Sequence, residues 1–111
     1  MQEREISIVV PCYNEAPALP HLYTELAALK QKLPGVSFEF VLVDDGSTDG
    51  TRDVIRGLSE KDADVRYVFF SRNFGKEAAL LAGLEAARGK YVAVMDADLQ
   101  DPPALLPSTC T

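Results

Sequence analysis

Asp96, Asp98, Gln100 and Asp101 set four oxygen-bearing side chains close together, just past an apolar run from Tyr91 to Met95. An oxygen-only donor set suits a hard divalent cation, Mg2+ or Mn2+ rather than zinc. Asp96 and Asp98 are two apart, so in extended backbone both point to one side. Carboxylates placed that way repel each other unless a cation lies between them. A cation held there can grip a diphosphate, which points to chemistry on a nucleotide-linked substrate. The competing reading is a solvated acidic turn.

Other polar groups stand at similar junctions. Pro11, Tyr13 and Glu15 follow the apolar run Ile6 to Val10. Tyr13 can pack flat on a nucleobase and Glu15 can accept from a ribose hydroxyl. Equally, Tyr13 can staple the entry of the next helix and Glu15 can cap it. Asp44 and Asp45 follow the run Phe38 to Val43. Capping and the helix dipole are sufficient reason for acids there, with Ser47 or Thr48 as N-cap. The functional reading gives one of the two a base or ribose hydrogen bond. Arg72, Asn73, Gly75 and Lys76 lie where a strand turns into a helix, a setting that suits phosphate, though Asn73 can equally be an N-cap and Lys76 a solvated charge. GKEA is not a P-loop, because its glycine spacing and the Ser/Thr after lysine are absent. Cys12 reads as a loop thiol and His21 as a structural histidine.

Alternating strands and helices must position these groups. Strands are expected at Ile6 to Val10, Phe38 to Val43, Val65 to Phe70 and Tyr91 to Met95. Between them, Leu19, Leu22, Tyr23, Leu26, Leu29 and Leu33 recur at helical spacing, as do Val54, Ile55 and Leu58. Lys76 to Arg88 is a third helix, closed by Gly89 as its C′ residue. The helical leucines read as core. Strands apolar on both faces and separated by helices predict an α/β fold with a parallel sheet in βαβ units.

With 111 residues the chain holds one domain at most. Its net charge of −6 argues against a nucleic-acid partner. Two cysteines, Cys12 and Cys110, make no disulfide framework, and MQEREIS is followed by no signal-like apolar region. A cytoplasmic location is therefore expected.

PCYNE (11–15), VDDGSTDGT (43–51), SRNFGKEAAL (71–80) and MDADLQDPP (95–103) resemble glycosyltransferase family 2. Within it they are most similar to polyprenyl-phosphate hexosyltransferases, the bactoprenol glucosyltransferases and dolichyl-phosphate mannosyltransferases. The resemblance implies the Rossmann-like, nucleotide-sugar-binding half of a GT-A domain, with about four parallel strands in the order 3-2-1-4. It implies Pro11, Tyr13, Glu15, Val43, Asp45, Lys76, Asp96, Ala97 and Asp98 as nucleotide-binding residues. It also implies Asp96, Asp98 and Gln100 as ligands to Mg2+ or Mn2+. The implied reaction is inverting, metal-assisted transfer of a hexose from a UDP- or GDP-sugar to a polyprenyl phosphate at the cytoplasmic membrane face.

The tail departs from the family. After DPP the family starts a helix, whereas Pro107, Ser108 and Thr109 here favour a loop. Residues 1–103 then read as the donor part and 104–111 as an atypical tail at a truncation point. Catalytic residues are expected beyond residue 111, leaving a fragment inactive by itself. An uncovered last strand is expected to make it self-associate. The alternatives are a signalling receiver domain, suggested by VLVDDGS, and a nucleotide- and metal-binding fragment without turnover.

Overall fold

The computed structural model describes residues 5–98, so the tail, Gln100 and Asp101 lie outside the described residues. The chain runs β1 (Ile6–Cys12), α1 (Leu19–Lys32), β2 (Phe38–Asp44), α2 (Thr51–Lys61), β3 (Val65–Phe69), α3 (Lys76–Ala86) and β4 (Tyr91–Val94). All pairings are parallel, and the sheet order is β3-β2-β1-β4. That order excludes the receiver reading. A receiver whose first strand was β2 would set β2 between β3 and β4, in the 2-1-3-4-5 pattern. Here β1 stands between β2 and β4.

Every described residue of β2 is buried, as its unbroken apolar run requires of a strand covered on both faces. Period-two alternation sorts its side chains. Phe38, Phe40 and Leu42, with Ile8 and Val10 of β1, pack against Leu19, Leu22 and Leu26 of α1 and Ile55 and Leu58 of α2. Val41, Val43 and Val9 face the other way, against Ala79 of α3.

The second face is built differently. α3 turns small residues to the sheet: a Cβ at Gly83 would meet Val9 Cγ1 at 2.3 Å and Val43 Cγ2 at 3.2 Å. Two of its three leucines consequently point outward, Leu81 60% and Leu84 47% exposed, while Leu80 is half-buried. The expectation that helical leucines are core therefore holds for α1 and fails for α3.

Two further local expectations are corrected. Neither Ser47 nor Thr48 is the N-cap of α2; Gly50 occupies that position, and Asp49 accepts the Thr51 N–H. α3 ends at Ala86, before Gly89. Gly89 is a point of close approach, where a Cβ would lie 2.7 Å from Ser7 N, and its N–H donates to Ser7 Oγ at 2.8 Å.

At this amino end of the sheet a polar cluster is sealed in. Glu39, 1% exposed, accepts from Ser7 Oγ (2.5 Å), Arg88 N (2.6 Å) and Arg66 Nη1 (2.9 Å). Arg66 also donates to Ala86 O, which ties the end of α3 to β3. Burial pushes the Glu39 carboxyl up. The Ser7 hydroxyl, the Arg88 amide and the Arg66 guanidinium more than offset it, holding the group below the ordinary carboxylate range.

Candidate functional site

Open parallel sheets bind ligands beyond the carboxyl ends of their strands, where the order reverses. In this sheet that point lies between β1 and β4, the neighbours on the side away from β2. A cleft of about 240 Å³ opens there, lined by Pro11, Cys12, Tyr13, Glu15, Asp45, Lys76, Ala79, Asp96, Ala97 and Asp98. Eight of the nine residues expected at a nucleotide site thus meet in one place, from four separate segments of chain. The ninth, Val43, expected to contribute its backbone, is not among the lining residues, and its side chain is buried against α3. Cys12, read from the sequence as a loop thiol, is instead the buried last residue of β1 and also lines the cleft; Ala79 lines it too, and as a small apolar side chain carries no chemical signal in the sequence.

Three loops form the rim, and they hold one another. Asp45 is nearly buried, and its carboxylate accepts from Phe74 N (2.7 Å), Gly75 N (3.1 Å) and Asn73 Nδ2 (3.2 Å). It therefore caps the turn into α3 rather than α2. Gly46 makes the close approach possible, with φ of +74° and Arg72 C only 2.2 Å from where a Cβ would sit. Asp44 is fully buried beneath the rim. It accepts from Arg52 Nε (3.0 Å) and Ser47 N (3.1 Å) and does not line the cleft. The staple and cap readings for Tyr13 and Glu15 do not hold. α1 has no side-chain cap, and Tyr13 is 47% exposed in the cleft wall.

The cleft's charge is mostly negative. Glu15 is pushed above the ordinary carboxylate range by burial first, then by Asp98, Asp49 and Asp96. Lys76, the first residue of α3, answers with an ion pair to Asp96 at 3.4 Å. Burial, then the charges of Asp44 and Glu15, raise the Cys12 thiol well above its usual value, which disfavours the thiolate.

A divalent cation fits this donor set as a shared guest. Asp96 and Asp98 supply two carboxylates, yet no group of three His, Cys, Asp or Glu among the described residues is placed to enclose a metal alone. Mg2+-like ions are commonly held by one or two carboxylates together with substrate phosphates and water.

Residues 7–109 match the family described as glycosyl transferase family 2. The chain belongs to that family. An undecaprenyl-phosphate 4-deoxy-4-formamido-L-arabinose transferase of Pseudomonas aeruginosa is 46% identical over 105 residues, covering 92% of this chain and 30% of that protein. The putative glycosyltransferase CsbB of Bacillus subtilis is 42% identical over 108 residues, covering 96% of this chain and 32% of that one. Among solved structures, the mannosyltransferase PcManGT of Pyrobaculum calidifontis, in complex with GDP-Man and Mn2+, superposes with a TM-score of 0.73 at 31% identity. That match covers 88% of this chain and 28% of that chain. S. aureus TarS 1-349 in complex with UDP gives a TM-score of 0.74 at 32% identity, covering 85% of this chain and 27% of that one. The four-stranded 3-2-1-4 sheet is thus a glycosyltransferase GT-A half, and the family member spans about 30% of the length of its curated relatives. Among the described residues no helix is long and apolar enough to cross a membrane.

Proposed function

We propose that residues 1–103 form the donor part of an enzyme that transfers a sugar from a UDP- or GDP-sugar to a polyprenyl phosphate, with inversion. One observation carries this reading: Pro11, Tyr13, Glu15, Asp45, Lys76, Asp96, Ala97 and Asp98 line a single cleft at the switch point of the sheet. The relatives support the acceptor class, since the Pseudomonas protein is named for transfer to undecaprenyl phosphate. The solved neighbours that hold GDP-Man with Mn2+, or UDP, support the donor class.

Each residue then has a task. Tyr13, on the exposed wall, offers a face to the base, and Glu15 offers an acceptor for a ribose hydroxyl. Asp45 keeps the 73–75 turn in place, which holds Lys76 beside the cleft. Lys76 balances phosphate charge. Asp96 and Asp98, with Gln100 beyond the described residues, would hold Mg2+ or Mn2+. A bound cation supplies Lewis-acid stabilisation of the leaving diphosphate. A polyprenyl phosphate is already anionic and needs little help from a general base, so catalysis rests on the charge that develops on the leaving group. The acceptor side and the cytoplasmic membrane face are assigned to the intact enzyme, so this chain alone is expected to bind donor without transferring it.

Calorimetric titration with UDP and with GDP, in Mn2+ and then in chelator, tests the reading. One nucleotide should bind at least tenfold more tightly with Mn2+, and Asp98→Asn should remove that gain. Equal affinity with and without metal would overturn the cation's role. Absence of any binding would overturn the donor site.

A further inference from the structure

Tyr13 and Glu15 both line the cleft, but the residue between them does not. Asn14 has φ of +53°, alone among the described non-glycine residues in the left-handed region. Asparagine tolerates that conformation better than most side chains. The twist sends Asn14 the other way, toward the β2–α2 loop. Its Oδ1 accepts from Thr48 N at 2.8 Å and Asp49 N at 3.3 Å, while its own N–H donates to Ser47 Oγ at 2.8 Å. The next amide, Glu15 N, donates to Thr51 Oγ1 at 2.9 Å, and Ala16 N reaches Asp49 Oδ2 at 3.4 Å. Thr51 in turn donates to Asp49 through both its amide and its hydroxyl. Thr51 is fully buried and is the first residue of α2.

We infer that Asn14 and Thr51 are positioning residues, a clamp that fixes the Tyr13–Glu15 segment against α2 and so presets the wall of the cleft. Two features support a positioning role over mere loop packing. The bonds span more than thirty residues of sequence, each joining one rim loop to the other. They hold the backbone of Glu15, whose side chain lines the cleft, and Asn14, the residue that joins it to Tyr13. The inference rests on the donor-site reading for what the wall binds, but the clamp itself is read separately.

The test uses the 111-residue chain with Asn14→Gly, Thr51→Val and Thr51→Ser. Glycine keeps the left-handed turn and deletes the Oδ1 acceptor. Valine keeps the volume of Thr51 and deletes the Oγ1 acceptor, which serine restores. Two quantities are measured: hydrogen exchange of the Glu15 amide, and affinity for UDP and GDP in Mn2+. Asn14→Gly and Thr51→Val are expected to speed Glu15 exchange and to weaken the nucleotide that binds by about tenfold, the scale of one lost positioning hydrogen bond. Thr51→Ser should bring both back to near wild type. Unchanged affinity in Asn14→Gly and Thr51→Val, with wild type binding, would overturn the clamp. So would loss of binding in Thr51→Ser equal to that in Thr51→Val. If wild type binds neither nucleotide, the donor-site reading falls. Glu15 exchange that is also unaltered in the variants would then refute the clamp as well.

Discussion

Two glutamates mark opposite ends of this sheet, and their surroundings treat them in opposite ways. Glu39, at the amino end, is buried among donors and lies below the ordinary carboxylate range. Glu15, at the carboxyl end, is crowded by Asp98, Asp49 and Asp96 and lies above it. One end is arranged so that a negative charge is welcome without any ligand. The other gathers several carboxylates, with Lys76 paired to Asp96. The first pattern serves the fold. The second works against it, as groups held for a ligand commonly do.

The contrast can be attacked from either end. The largest effect is expected at Glu39. Glu39→Ala strands a partly buried Arg66 and leaves the Ser7 hydroxyl and the Arg88 amide without their acceptor, a loss of about 3 kcal/mol by urea denaturation. Because its folded pKa is depressed, the stability Glu39 contributes is present above the ordinary glutamate value. It is lost as pH falls through the lower folded value. Glu39→Gln should flatten that acid limb of the stability profile; an unchanged limb would show that the charge at this end is not what the fold uses.

A smaller loss is expected at the rim. Gly46→Ala adds a Cβ onto the Arg72 backbone at a positive φ, for about 2 kcal/mol of strain. The turn that Asp45 holds should loosen with it, so amide exchange at Phe74 and Gly75 is the sensitive readout. Protection equal to wild type would mean that the two loops are not joined through this contact.

The smallest effect has the opposite sign. Glu15→Gln is expected to stabilise the chain by a fraction of a kcal/mol, about the size of an exposed charge interaction. Here the folded pKa is raised, so the penalty is absent below the ordinary carboxylate range and grows as pH rises through the folded value. Thermal midpoints of the two proteins should therefore coincide in acid and separate at neutral pH. Separation in acid instead would place the effect outside electrostatics.

What the sequence made legible follows from what is local. Apolar runs located all four strands, and the parallel βαβ reading followed from their composition. The strand order came by resemblance, and the observed β3-β2-β1-β4 sheet agrees with it. Residues at the carboxyl ends of those runs were bound to gather at one edge, which is why eight of the expected nine line the cleft. Long-range partnerships were illegible. Glu39 sits in an apolar run with nothing nearby to announce Ser7 or Arg66, and Gly89 looks like a helix stop until Ser7 is placed against it. The inward face of α3 misled for a different reason. Hydrophobicity marks leucine as the residue to bury, but the closeness of Val9 and Val43 leaves room only for Ala79 and Gly83.

The position of β1 bears on how the chain is made. It lies in the middle of the sheet, paired with β2 on one side and with β4 on the other, and residues 13–90 must leave the ribosome before β4 begins to emerge. At ~5–20 residues per second that interval lasts roughly 4–16 seconds. Through it the nascent chain carries a central strand with one ladder edge unsatisfied, and β2 and β3 can complete on the far side first. The last short strand then closes the edge of the first, so the cleft between them cannot exist until synthesis has reached Asp96 and Asp98.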